Sequence, residues 1–189
     1  QNLYFYINYL SMSKKILLDS KKIEIILLRL VYEIIENHKD LKNTILIGLQ
    51  PRGIFLYKQI LKILKKNHPE KKITSGILDY TFFRDDFRRS EKTLNASSTR
   101  MNFSIENKKI ILIDDVLFTG RSIKSAMTAL DSYGRPKSIE LLILIDRRFK
   151  REVPIEPTYC GAKIDTFKGD KVKVIWDDNS INNKVFIES

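Results

Sequence analysis

Residues 110–122 read IILIDDVLFTGRS. Ile110, Ile111, Leu112 and Ile113 run straight into Asp114 and Asp115, and Thr119-Gly120-Arg121-Ser122 follows after Val116, Leu117 and Phe118. An unbroken apolar run bounded by turn residues is the pattern of a strand covered on both faces. Beyond it, Ile123, Ala126, Met127 and Leu130 recur at helical spacing. Thr, Gly and Ser are residue types found where helices begin, with backbone N–H groups still unpaired. The stretch therefore predicts a buried strand, a tight loop and a helix.

That geometry has a chemistry. A loop of small residues at a helix N-terminus attracts anions, because orphan N–H groups and the helix dipole both favour negative charge. Carboxylates at the end of the preceding strand can accept hydrogen bonds from sugar hydroxyls or help hold a divalent metal. Phosphate on one side and diol acceptors on the other describe a ribose-5-phosphate cradle. A capped βα turn with two solvated aspartates is the plainer alternative, and receiver-like domains also place acids at strand ends.

The chain has 189 residues, enough for one domain with a full core. No run approaches the roughly 18 apolar residues of a membrane span. The one cysteine, Cys160, excludes an intrachain disulfide framework and fits a cytoplasmic setting. Only His38 and His68 are available to activate it, which argues against a cysteine nucleophile. The net charge of +11 and pI near 9.6 call for an anionic partner, such as a nucleotide, pyrophosphate or nucleic acid.

Residues 1–12 are aromatic and polar without period and lack the marks of a signal peptide. They read as an upstream extension or cloning remnant, with a single domain over residues 13–189. Residues 16–19 suggest a short strand. Ile23, Ile26, Leu27, Leu30, Val31, Ile34 and Ile35 then form a helical stripe, and so long an apolar helix suggests a homodimer or homotetramer. Residues 44–49 (TILIGL) read as a second buried strand, followed by Pro51-Arg52-Gly53 and a helix over 54–66. A glycine turn beside an arginine can hold a second anion. Residues 72–83 read as a strand, and the polar stretch 84–107, opening with Arg84, reads as a flexible lid that closes over a polyanion. The helix after the central stretch stops near Gly134-Arg135-Pro136. Residues 138–145 form another buried strand ending in Asp146-Arg147-Arg148, residues 154–161 read as irregular, and 172–176 and 184–187 read as a hairpin. Strands alternating with helices predict an α/β fold, a mostly parallel sheet with helices on both faces.

The central stretch resembles the phosphoribosyl-pyrophosphate (PRPP) motif of the type I phosphoribosyltransferases. GLQPRG, LDYTFFRDDF, IDDVLFTGRS, GRP, LIDRR and EVPIEPTYCGAKI occur in the order found in the PyrR family, the pyrimidine operon regulators and uracil phosphoribosyltransferases. The resemblance implies the type I phosphoribosyltransferase fold, with a flexible lid and a small C-terminal hood. It implies the reaction of uracil with PRPP to give UMP and pyrophosphate, with Mg2+ as cofactor. By the same resemblance Asp114 and Asp115 hold the ribose hydroxyls, directly or through PRPP-bound Mg2+, and are the catalytic residues together with Arg84. It implies that Thr119, Gly120, Arg121 and Ser122 cradle the 5′-phosphate, with Val116, Leu117 and Phe118 before them also substrate-binding. Pro51, Arg52 and Gly53 meet the pyrophosphate, and Arg147 borders the base. In the 6-oxopurine relatives an aspartate precedes the Thr-Gly pair and acts on the purine nitrogen. Phe118 stands there and cannot act as a base, which favours uracil over hypoxanthine or guanine. An RNA leader is a further implied partner, with Leu28, Tyr32, Asn37 and Glu156 where RNA-binding members carry polar and basic residues, although Arg29, Lys150 and Arg151 remain. The chain also departs from many relatives in carrying Pro51 where they have threonine.

Overall fold

The computed structural model describes residues 14–85, 98–167, 169–177 and 181–188. The chain divides into two compact units, one built from residues 25–166 and one from the two ends of the chain.

The larger unit is a five-stranded parallel sheet in the order β3-β2-β4-β5-β6: β2 Thr44–Gln50, β3 Thr74–Asp79, β4 Lys109–Leu117, β5 Ser138–Arg148 and β6 Tyr159–Asp165. Successive side chains leave opposite faces of a strand, and both faces here are aliphatic. Ile45, Ile47, Leu49, Ile110, Leu112, Leu141 and Ile143 form one core with Ile123, Ala126 and Leu130 of α3 (Arg121–Leu130). The alternate positions meet α2 (Gly53–Asn67), which packs on β2 and β4 through buried Leu56, Tyr57, Ile60 and Leu64. Burying a Leu or Ile side chain contributes roughly 1.5–3 kcal/mol, so this double-faced packing fixes the strand order. The α/β class and parallel sheet hold as expected. Among the described residues, no helix is long and apolar enough to cross a membrane.

The smaller unit carries a three-stranded antiparallel sheet in the order β1-β8-β7, from Lys14–Leu18, Lys184–Glu188 and Lys171–Ile175. The expected hairpin is β7–β8, with Val174 facing Val185; β1 adds the other edge. α1 spans Ser20–His38 and from Ile25 onward belongs to the larger unit.

Four boundaries differ from the sequence reading, each for a local reason. β3 stops at Asp79 because the Asp79 carboxylate accepts the Thr81 N–H at 2.7 Å, turning the chain into one 3₁₀ turn over Thr81–Phe83. β4 runs on through both aspartates to Leu117, since its pairing with β5 continues as far as Leu117 opposite Asp146. Residues 159–165 are a strand, not an irregular segment. They form the sheet's edge, so only one side is paired and the apolar signal is diluted. The expected lid, residues 84–107, is anchored in its second half. Arg100 exchanges backbone hydrogen bonds with Ile77, and Met101 and Ile105 are buried. Residues 86–97 of that lid lie outside the described residues.

Candidate active site

The C-terminal ends of β2 and β4 meet where Gly53 opens α2. A Cβ at Gly53 would lie 2.4 Å from the Ile113 carbonyl oxygen and 2.8 Å from the Asp114 Cα. Only a glycine brings the 51–53 turn this close to the acid pair. The Gln50–Pro51 peptide in that turn is cis. Arg52 reaches across, donating its Nε–H to Asp115 Oδ2 at 3.0 Å. The Asp115 backbone N–H donates to Asp114 Oδ1 at 2.9 Å.

The two carboxyls are 7% and 4% exposed, so they are not the solvated aspartates of a plain βα turn. Burial raises both above the usual carboxylate range; the Asp115 charge raises Asp114 further, while Arg52 opposes the rise at Asp115. Between the usual range and the raised one, the folded protein holds more protons than the unfolded chain, so this pair makes stability fall as pH rises. Asp114→Asn removes the buried charge while its amide oxygen can still accept the Asp115 N–H. The variant is expected to melt above the parent, with a gap that widens from about pH 5 to about pH 8.5 in scanning calorimetry. A gap that narrows over that range would contradict the buried-charge reading.

The phosphate-type loop follows directly. Leu117 is in the core, Val116 is half-buried and Phe118 is partly exposed. Gly120 takes φ +87°, a left-handed conformation suited to glycine, and caps α3 with no side-chain acceptor. The Gly120 cap thus supplies no side-chain acceptor to the first-turn N–H groups of α3, and among the described residues only the Arg121 N–H makes a long contact, 3.4 Å, to Thr119 Oγ1. Thr119, Arg121, Ser122 and Ser125 line a pocket of about 280 Å3 with Arg84 and Asp85. Arg121 is held by Asp85 at 2.6 Å and Glu152 at 2.7 Å.

Arg147 ends β5. It is buried, its guanidinium lies 3.8 Å from the Phe118 ring centroid, and it donates two hydrogen bonds to Thr166 Oγ1 at 3.3 Å each. The structure therefore groups Asp114, Asp115, Arg52 and Gly53 at one place, Thr119 to Ser122 with Arg84 at a second, and Phe118 with Arg147 at a third. Sequence reasoning passed over Tyr80. Its phenol is pushed up to about 12 by burial and the neighbouring Asp114 charge, opposed by a hydrogen bond with Ser122. The sequence reading gives Asp146 only as a strand end, Arg151 only as a basic residue of the implied RNA face and Glu152 no part; their polar character alone gives no sign of what they touch.

A divalent cation fits the acid pair in one particular way. Among the described residues no group of three or more His, Cys, Asp or Glu side chains converges on a cage. Two adjacent carboxylates suit Mg2+, which keeps several waters and takes its other ligands from substrate phosphates.

A parallel sheet with a glycine turn after β2, paired acids near the end of β4 and a glycine-capped loop opening α3 is the arrangement of the phosphoribosyltransferase class. The family model for the phosphoribosyl transferase domain matches residues 13–179. The chain is 42% identical over 174 residues to the bifunctional protein PyrR of Caldicellulosiruptor bescii, covering 92% of this chain and 94% of that one. It is 39% identical over 178 residues to the bifunctional protein PyrR of Bacillus subtilis, covering 92% and 96%. The chain belongs to the PyrR family of phosphoribosyltransferases. The hypoxanthine phosphoribosyltransferase of Trypanosoma cruzi shares the fold, with TM-score 0.66 at 16% identity over 92% of this chain and 95% of that one. A hypoxanthine phosphoribosyltransferase from Staphylococcus aureus also shares it, with TM-score 0.61 at 21% identity over 80% and 77%.

Proposed function

We propose that this chain is a uracil phosphoribosyltransferase, joining uracil N1 to C1′ of PRPP and releasing pyrophosphate. The observation that carries this reading is the adjacency of the buried Asp114–Asp115 pair to a phosphate loop whose preceding residue is Phe118, not an acid. The chemistry asks little of the protein by way of covalent work. C1′ gains positive character as its bond to the pyrophosphate oxygen lengthens, uracil N1 closes on the opposite face, and the N1 proton is taken up by the departing pyrophosphate or by solvent. Holding the reactants in line and spreading the leaving group's charge supply the acceleration.

Each group has a part in that scheme. The N–H groups at Thr119 to Ser122 hold the 5′-phosphate. Asp114 and Asp115 accept the ribose hydroxyls. Arg52 and Gly53, beside Pro51, meet the pyrophosphate, and Arg84 adds charge over the phosphates. Mg2+, bound through PRPP at the acid pair, supplies charge neutralisation for the departing pyrophosphate. Phe118, backed by Arg147, offers a face to the pyrimidine where a purine enzyme of this fold would need a base.

The reading is tested by measuring pyrophosphate release from PRPP with uracil, hypoxanthine and guanine in turn. Uracil is expected to support turnover, with hypoxanthine and guanine about a hundredfold lower in kcat/KM, the scale on which an apolar pocket discriminates by shape. Turnover with a purine and none with uracil would overturn it.

Binding of an RNA leader is the second reading, and it has less support. Arg148 is paired with Asp165 through contacts of 2.7 and 2.8 Å, and Arg151 is turned toward Asp146. Phosphate contacts from this stretch would have to compete with those carboxylates. A cytoplasmic setting follows from the reading, since its nucleotide substrates are intracellular. The exposed Ile25 and Tyr32 of α1 support a homodimer or homotetramer.

A further inference from the structure

The phosphate loop has a back as well as a front. For its N–H groups to face an anion, the carbonyls of Phe118 and Thr119 must point the other way, and each needs a donor there. Both find their donors in one short segment, residues 151–153, in the connection from β5 to β6. Arg151 donates Nη1 to the Phe118 carbonyl. The backbone N–H groups of Glu152 and Val153 both donate to the Thr119 carbonyl, at 2.9 and 3.0 Å. Val153 also closes the space behind Gly120, where a Cβ would lie 3.2 Å from its carbonyl oxygen. The Glu152 carboxylate meets the Arg121 guanidinium at 2.7 Å.

Arg151 does not stand alone. Its other Nη atom lies 2.5 Å from Asp146 Oδ1, and that residue is 6% exposed. Asp146 belongs to β5, and its strand position faces Leu117, the last residue of β4. A buried carboxylate on the sheet therefore anchors a cation whose fork reaches the first carbonyl of the phosphate loop. A guanidinium suits this task, because one planar group fixes two acceptors at once.

We propose that Asp146 and Arg151 are positioning residues for the 5′-phosphate: a brace behind the loop that holds Phe118–Gly120 in the shape that presents its N–H groups. Neither side chain need touch substrate. This inference rests on the reading of residues 119–122 as the phosphate cradle. Losing Arg151 frees the Phe118 carbonyl to turn inward, where it repels phosphate, so the damage falls on phosphosugar affinity. The base meets the Phe118 ring and not its carbonyl, and that ring stays stacked on Arg147 at 3.8 Å, so the base is far less affected.

The test is a comparison of Arg151→Ala, Arg151→Lys, Asp146→Asn and the Asp146→Asn/Arg151→Ala double variant. Arg151→Ala is expected to raise the KM for PRPP about tenfold, the scale of a lost charged hydrogen bond, with the KM for uracil within about twofold. Arg151→Lys, whose ammonium can still bridge Asp146 and one carbonyl, is expected to lie within about threefold of the parent. The double variant is expected to match Arg151→Ala, because the two residues act as one unit. An unchanged KM for PRPP in Arg151→Ala, an equal rise for both substrates, or additive losses in the double variant would overturn the brace. Calorimetric titration with ribose 5-phosphate reads the same contact without turnover. If the parent binds ribose 5-phosphate but does not use uracil, the uracil reading has failed while the tenfold loss in Arg151→Ala still decides the brace. If the parent binds no ribose 5-phosphate, the cradle and its brace both fail.

Discussion

Asp115→Ala is expected to lower kcat/KM for PRPP by about 10²–10³-fold, the scale seen when one preorganised electrostatic contact to a transition state is removed. Asp115 sits near the end of β4, 4% exposed, with its carboxylate already committed to Arg52. Removing it takes away a ribose acceptor, half of the carboxylate pair that suits Mg2+, and the tie between the acid pair and the 51–53 turn. Stability should hardly suffer. Arg52 is 54% exposed at its side chain and can turn to water, so the lost pair is worth no more than about 1 kcal/mol, offset by relief of a buried charge. Steady-state kinetics together with a thermal melt separate the two effects. A variant that melts like the parent and retains activity would mean that the cradle is misplaced.

Gly53→Ala is the second change expected to have a large effect, for a steric reason. The added methyl would lie 2.4 Å from the Ile113 carbonyl oxygen, 2.8 Å from the Asp114 Cα and 2.9 Å from Asp114 Oδ1. Two of these are backbone atoms of a central strand, which cannot swing aside as a surface side chain would. Either α2 lifts away from β4 or β4 bends. Overpacking of this kind costs about 1–3 kcal/mol, which lowers Tm by several degrees for a chain of this length. The 51–53 turn would also be pushed off the acid pair, so activity is expected to fall by more than about tenfold, as misplacement of an aligned contact does. Calorimetry and kinetics on the same preparation would show both losses. An unperturbed melting temperature with full activity would contradict the close approach of α2 to β4.

Much of this site is legible in the order of residues alone, and the reasons are physical. The buried strand 110–113 announces itself as an aliphatic run, and Gly120 marks the left-handed turn that begins α3. Arg52 and Gly53 mark only a βα turn by themselves; they gain meaning beside the acid pair, which Arg52 meets at Asp115. The strand β6 is not readable. As an edge strand with intermediate and exposed positions around Gly161, it has neither a continuous apolar run nor clean alternation. The anchoring of Met101 and Ile105 is equally hidden, since two apolar residues in a polar stretch do not set a period. Contacts between distant side chains are the hardest. Nothing in the order of residues says that Asp146 and Arg151 reach behind Phe118, because that meeting depends on the register of β4 against β5.

The cradle itself can be seen directly in a crystal structure of the protein with UMP. The phosphate is expected within hydrogen-bond distance of the backbone N–H groups of residues 120–122, with the ribose hydroxyls at Asp114 and Asp115 and the uracil ring beside Phe118. A phosphate bound instead at the 51–53 turn or outside this loop, with the acid pair away from the ribose, would contradict the assignment of residues 110–122 as the phosphosugar cradle.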